Sequence, residues 1–321
     1  MILLRIIDSH VHLHVSDNDK LDEYNFYNIL DLLNDQQKYK INKSVCFLNP
    51  FVPELLCKVN CKHRIRIVDK DDKELQIYCE NCEKIIYSGI DPLRLLNIQL
   101  LKQTREIKSI IPFVYLNISK AINSEVRYFE QYYGDLVMGY KIHPKLCSRH
   151  LSSVTINSNK PIIVHTGVQE ETSPADIIKF AKNYKGDVIL AHCARFSEKD
   201  LLIIKNTSNL YIDISPFLTL YKSIKEKSNT LCDISYLGKI NNPTDLLQKL
   251  INYVGINKIV FGTDAPFTNF KEELEFILNC DIIKADKEKI LFNNFYSLLH
   301  KTRRVENEKN SKQFAIKAKE K

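Results

Sequence analysis

The 321 residues suffice for one large domain or two small ones, and α/β barrels often use this length as a single domain; the 44% apolar content can bury a sizeable core. No apolar run approaches the ~18 residues of a membrane span, a signal-peptide pattern is missing, and nine cysteines, an odd number, suit a reducing compartment better than a disulfide framework, so a cytoplasmic protein without membrane contact is expected. Of the net charge of +7, five units sit in Lys301–Lys321, where eight Lys or Arg face three Glu, so the basic balance belongs to a polar tail (301–321) expected to be disordered.

Short β-branched runs alternate with longer amphipathic ones. Strands are predicted at Leu3–Asp8, Lys43–Leu48, Ile110–Leu116, Leu136–His143, Pro161–His165, Asp187–His192, Asn209–Ile214 and Lys258–Gly262. Between them lie helical patterns such as LDEYNFYNILDLLNDQQKY, DPLRLLNIQLLKQTREIK, SPADIIKFAKNY, SEKDLLIIKN and PTDLLQKLINYVG. Strand–helix alternation predicts parallel βαβ units, and eight of them predict a (β/α)₈ TIM barrel over residues 1–300. Two connections exceed the usual ~2–6 residues: Asn49 to Ser88, and SPFLTLYKSIKEKSNTLCDISYLGKINN, a candidate lid after the seventh strand. Both follow strands and so rise over the C-terminal face, where barrels build their active sites.

The stretch DSHVHLH places Asp8, His10, His12 and His14 at alternate positions, so a regular strand aims all four at one face. Later strands also run apolar and then end in a ligand type: Lys141 and His143 in MGYKIHP, His165 in PIIVHTG, His192 in DVILAHC, and Asp264 in KIVFGTDAPF. Independent core histidines have no reason to choose the same end of different strands, so the set reads as a site. Arg195, in AHCARF, is either a clamp for a substrate carboxylate or a surface partner of Glu198. His14 reads as a rim residue.

DSHVHLH, GYKIHP, VHTG, LAHC, FGTDAPF and EKILFNN, in that order, resemble the amidohydrolase superfamily, in particular the branch of amino-carboxymuconate-semialdehyde decarboxylase and related hydrolases. The resemblance implies a divalent metal on His10, His12, His165 and Asp264. That donor set suits Zn²⁺, with Mn²⁺, Fe²⁺ or Co²⁺ as alternatives. It implies Asp264 as proton acceptor and His192 as the group that polarises a carbonyl or shuttles a proton. In dihydroorotase-like and phosphotriesterase-like branches a strand-four lysine is carbamylated. Lys141 in that state would place a second metal on His165 and His192; unmodified, it offers a positive charge to an anionic substrate, beside His143 and Arg195. The implied reaction is hydrolysis of a small carbonyl compound through metal-activated water. Decarboxylation of a small carboxylic acid is the nearest alternative. A TatD-like deoxyribonuclease is another, against which Lys141 counts, since that group usually carries a glutamate there. The implied partner is a small molecule rather than nucleic acid, and a homo-oligomer stays open.

The insertion (54–88) holds Cys57 and Cys61, separated by three residues, and Cys79 and Cys82, separated by two, with seventeen between the pairs. Paired cysteines around a two-stranded hairpin, HRIRIVDKDDKELQIY, resemble a zinc ribbon with structural Zn²⁺ on four thiolates. Such a metal would stabilise a segment too short to build its own core.

Overall fold

A computed structural model describes residues 4–15, 27–49, 65–144, 147, 149–167, 169–226 and 233–301. Expectations for Cys57, Cys61, the start of the first predicted strand and the tail beyond Lys301 lie outside these residues. The strands are β1 (Ile7–Leu13), β2 (Lys43–Leu48), β3 (Ile65–Asp69), β4 (Leu75–Cys79), β5 (Lys84–Gly89), β6 (Ile110–Leu116), β7 (Gly139–Ile142), β8 (Ile162–Val164), β9 (Val188–Leu190), β10 (Leu210–Asp213) and β11 (Ile259–Val260). Eight of them form one parallel sheet in the order β1-β2-β6-β7-β8-β9-β10-β11. Backbone bonds then join its two ends: Ser9 N donates to Phe261 O (2.9 Å), Asp264 N to His10 O (2.9 Å) and His12 N to Ala265 O (2.8 Å). The fold is the expected (β/α)₈ barrel.

Helices α1 (Ile29–Tyr39), α2 (Leu93–Thr104), α3 (Ile122–Tyr133), α4 (Pro174–Ala181), α5 (Glu198–Asn206), α6 (Phe217–Lys225) and α7 (Pro243–Val254) lie between strands, and α8 (Phe270–Asn279) and α9 (Lys284–Glu288) follow β11. Their starts follow local chemistry. Asn28 closes a capping box with Asp31, while Ser173 and Asn242 cap helices that open on Pro174 and Pro243. Ile7, Val45, Phe47, Ile111, Phe113, Ile163, Ile189 and Val260 fill the barrel interior, and Phe292, Phe295, Leu298 and Leu299 of the C-terminal segment complete that cluster. A larger apolar layer packs between strands and helices. No described helix is long and apolar enough to cross a membrane.

Three features differ from expectation. First, β1 runs to Leu13, so His10 and His12 lie inside the strand, and its register slips by one residue between Asp8 and Val11. This bulge leaves Ile7 in the inner cluster but turns Val11 and Leu13 outward. His10 and His12 therefore face inward, whereas Asp8 binds Thr263 through its N–H (3.0 Å) and hydroxyl (2.7 Å). Asp8 thus leaves the shared face. Second, the candidate lid contains α6, anchored where the N–H groups of Leu218 and Thr219 donate to Glu273 on α8. Third, the insertion is a three-stranded antiparallel sheet, β3-β4-β5, rather than a two-stranded hairpin. Cys79 ends β4, and Cys82 lies in the turn before β5.

That sheet docks on the barrel. Ile67, Leu75 and Ile77 join the outer core, Ile67 bridges Cys147, and Asp69 accepts from Lys120 N (2.6 Å) and pairs with Arg149. Just after it, Asp91 accepts from Leu93 N (2.9 Å) and from the Asn117 amide (3.0 Å), tying α2 to the end of β6. Burial raises the Asp91 carboxyl to about 7, and nearby Glu125 adds to the shift against Arg94. Because the folded pKa exceeds the unfolded one, this group's contribution to stability is complete below pH ~4 and is lost as pH rises to about 7. We expect the unfolding free energy of the wild type to fall between pH 5 and 8 by on the order of 2 kcal/mol more than that of Asp91→Asn. Urea unfolding across that range checks this; parallel pH profiles would refute it.

Candidate metal centre

Among the described residues, one trio can supply three metal donors within 4.8 Å of one another: His10, His12 and Asp264. The barrel seam builds it. Asp264 sits just past β11 with a positive φ of 62°, and its carboxylate lies 3.2 Å from His10 Nε2 and 3.4 Å from His12 Nε2. His12 Nδ1 lies 3.2 Å from Leu48 O. That carbonyl can only accept, so a cation held with Asp264 would leave the ring proton on Nδ1 and take the Nε2 lone pair.

Burial holds both imidazoles below their ordinary range, His10 at about 4. For Asp264 burial acts upward, but His10, His12 and His192 outweigh it and keep the carboxyl well below its ordinary value. Neutral imidazoles beside a carboxylate are what a divalent cation requires. The donor set fits.

The other predicted residues surround this trio. Lys141 on β7 is fully buried, with Nζ 3.0 Å from His10 Nε2 and 4.7 Å from the Phe47 ring centre. Burial lowers its amine to about 8, against the pull of Asp213 and Asp264. His165 follows β8, where its Nδ1 meets His192 Nε2 at 2.9 Å and its ring stacks on His143 with centroids 3.8 Å apart. His192 Nδ1 lies 2.6 Å from Ser215 O, which fixes that proton on Nδ1. His192 Nε2 therefore accepts from His165 Nδ1–H, leaving the His165 Nε2 lone pair available. Phe267, at the rim, meets His12 edge-on at 5.0 Å. His14 lies just beyond β1, its backbone N–H on Tyr27 O (2.9 Å).

Arg195 belongs to an unusual segment. His192, Cys193, Ala194, Arg195 and Phe196 all have φ between 46° and 56°, one turn of left-handed helix without glycine. Each such residue costs roughly 1–2 kcal/mol, so the surroundings must impose the turn. Part of that hold is Asp213, at the end of β10, which the sequence reading did not single out. Its Oδ1 accepts from His192 N (3.0 Å), and its Oδ2 lies 2.8 Å from His10 Nδ1.

The amidohydrolase family model matches residues 149–299, which include His165, His192 and Asp264. No curated protein sequence matches the chain. Several solved structures share the fold. A 5-carboxyvanillate decarboxylase from Sphingomonas paucimobilis is 11% identical with a TM-score of 0.61, covering 93% of this chain and 99% of that one. A dihydroxybenzoic acid decarboxylase from a Polaromonas species, solved with bound manganese and 2-nitroresorcinol, is 13% identical with a TM-score of 0.57, covering 93% and 97%. A protein from Pseudomonas putida assigned as a 2-pyrone-4,6-dicarboxylic acid hydrolase is 14% identical with a TM-score of 0.58, covering 93% and 98%. The structural likeness shows the fold, and the family model matches the second half of the barrel.

Gly262, in FGTD, allows the seam to close. A Cβ there would lie 2.7 Å from His10 Cβ and 3.2 Å from Ser215 Cβ. We expect Gly262→Ala to destabilise the protein by about 1–3 kcal/mol, read from the urea midpoint. An unchanged midpoint would show that His10 is not packed against this backbone.

Proposed function

We propose that the chain is a metal-dependent enzyme that hydrolyses a small carbonyl-containing substrate at the C-terminal mouth of the barrel. The observation that carries this is the convergence of His10, His12 and Asp264 from the two ends of the chain. His165 is proposed as the fourth donor through Nε2. A divalent metal there supplies a Lewis acid and acidifies water; Zn²⁺ suits the donors, and manganese is bound in one protein of the same fold.

The roles we assign to the chain's own groups follow from their chemistry. Asp264, held as a carboxylate, accepts the proton of the attacking water. His192 is assigned to polarise the substrate carbonyl or to pass a proton to the leaving group, for which its Nε2 must first release the bond from His165 Nδ1–H. Lys141, mostly protonated at neutral pH, attracts an anionic substrate group, and Arg195 and His143 orient it. We assign one metal and an unmodified Lys141, whose amine already occupies hydrogen-bonding distance of His10.

Decarboxylation is the second reading, favoured by decarboxylases of the same fold. In it Lys141 and Arg195 hold the departing carboxylate and His192 returns the proton. For the insertion we propose structural Zn²⁺ on Cys79 and Cys82 together with Cys57 and Cys61; the close spacing of Cys79 and Cys82 around the β4–β5 turn supports this.

Elemental mass spectrometry of protein purified without chelators tests both centres. Two metals per chain are expected in the wild type, one in His10→Ala/His12→Ala, and one in Cys79→Ser/Cys82→Ser. Three metals in the wild type, with a loss of two in the histidine variant, would mean a second barrel metal and a carbamylated Lys141. No loss from it would overturn the metal-dependent reading.

A further inference from the structure

We infer that Asp213 is a positioning residue that fixes the proton of His10 on Nδ1, and so aims the Nε2 lone pair into the barrel. The inference rests on the metal centre proposed above but is read from hydrogen bonds alone. His10 Nε2 faces Lys141 Nζ at 3.0 Å and Asp264 Oδ1 at 3.2 Å, a donor and an acceptor, so that side of the ring does not decide the tautomer. The Nδ1 side does. Asp213 Oδ2 lies 2.8 Å away, fully buried, and a carboxylate can only accept there.

The other oxygen of Asp213 is committed as well. Oδ1 accepts from His192 N (3.0 Å), Ser215 N (3.0 Å) and Ser215 Oγ (2.7 Å). Ser215 Oγ lies 3.1 Å from His10 Nδ1, so the hydroxyl can accept from the ring while donating to Asp213. One carboxylate therefore sets the protonated edge of His10 and tethers the first residue of the left-handed turn that carries His192. A neutral amide cannot do both. In Asp213→Asn, two fixed backbone N–H groups claim the amide oxygen. The amide NH₂ then turns to His10 Nδ1, and the ring proton moves to Nε2, where it opposes a cation.

The test uses the full chain with ¹⁵N-labelled histidine. Two-bond ¹H–¹⁵N correlation spectra of metal-free protein report which ring nitrogen of His10 carries the proton, with Asp213→Asn, Asp213→Glu and Ser215→Ala alongside. We expect Nδ1–H in the wild type and in Ser215→Ala, Nε2–H in Asp213→Asn, and at least partial return of Nδ1–H in Asp213→Glu. Zn²⁺ affinity, measured by chelator competition, is expected to fall about 10–100-fold in Asp213→Asn and to change less than about threefold in Ser215→Ala.

Nε2–H in the wild type would overturn the inference, and that spectrum decides even if Asp213→Asn fails to fold. An Asp213→Asn protein with Nδ1–H and wild-type affinity would overturn it too. A wild type that shows the expected tautomers but binds no metal in the barrel would instead overturn the metal-dependent reading and leave the positioning role of Asp213 standing.

Discussion

The seam between β1 and the end of β11 is the contact on which the centre depends. The backbone bond from Asp264 N to His10 O closes the barrel, and the same two residues place a carboxylate and an imidazole 3.2 Å apart. Barrel closure and ligand convergence are thus one event, and neither end of the chain holds the trio alone. Close approach demands a residue without a side chain at Gly262, because His10 and Ser215 occupy the space where a Cβ would stand. The fold's global constraint and the site's local geometry meet at that glycine.

The interior of this mouth is costly. Asp213 and Lys141 are fully buried beside several imidazoles, and removing charges from water carries a penalty of several kcal/mol per ion unless partners replace the water. Here the replacement is nearly complete on the Asp213 side: an imidazole, two backbone N–H groups and a hydroxyl all point at one carboxylate. On the Lys141 side the compensation is an imidazole lone pair and the face of Phe47. Apolar residues would fill the same volume at lower cost, so stability alone does not account for the cluster. The left-handed turn from His192 to Phe196 has the same character, since five strained residues are held where a glycine-rich segment would adopt the shape freely.

Much of this was legible because the chemistry sits at strand ends. Apolar runs closing on His165, His192 and Asp264 announced the barrel, and the three residues lie at one end of it, beyond β8, β9 and β11. The first strand was harder. DSHVHLH alternates without a flaw, and period-two reasoning put Asp8 with the histidines; the one-residue bulge breaks that parity, and nothing in the local sequence marks it. Asp213 was invisible for a different reason. Its partner His10 is 203 positions away, and an aspartate ending a strand carries no sign of which ring it will face. The left-handed turn was hidden likewise, since Cys193, Ala194 and Arg195 lack the glycine that usually signals positive φ.

The insertion shows how far a composition-based reading carries. The alternating run around a charged turn correctly foretold the β3–β4 hairpin, but the third strand, KIIYSG, has no partner until β4 presents its second edge. What gives this sheet functional weight is where it docks. Ile67 meets Cys147, four positions beyond His143, and Asp69 grips Arg149 and the backbone of Lys120, beyond the ends of β7 and β6. β3 therefore buttresses the segments that leave the barrel next to Lys141 and His143. A sheet tied at these points cannot shift without moving the chain that follows His143, and His143 in turn stacks on His165. The insertion thus packs through β3 against the segments that follow β6 and β7, beside the mouth of the barrel.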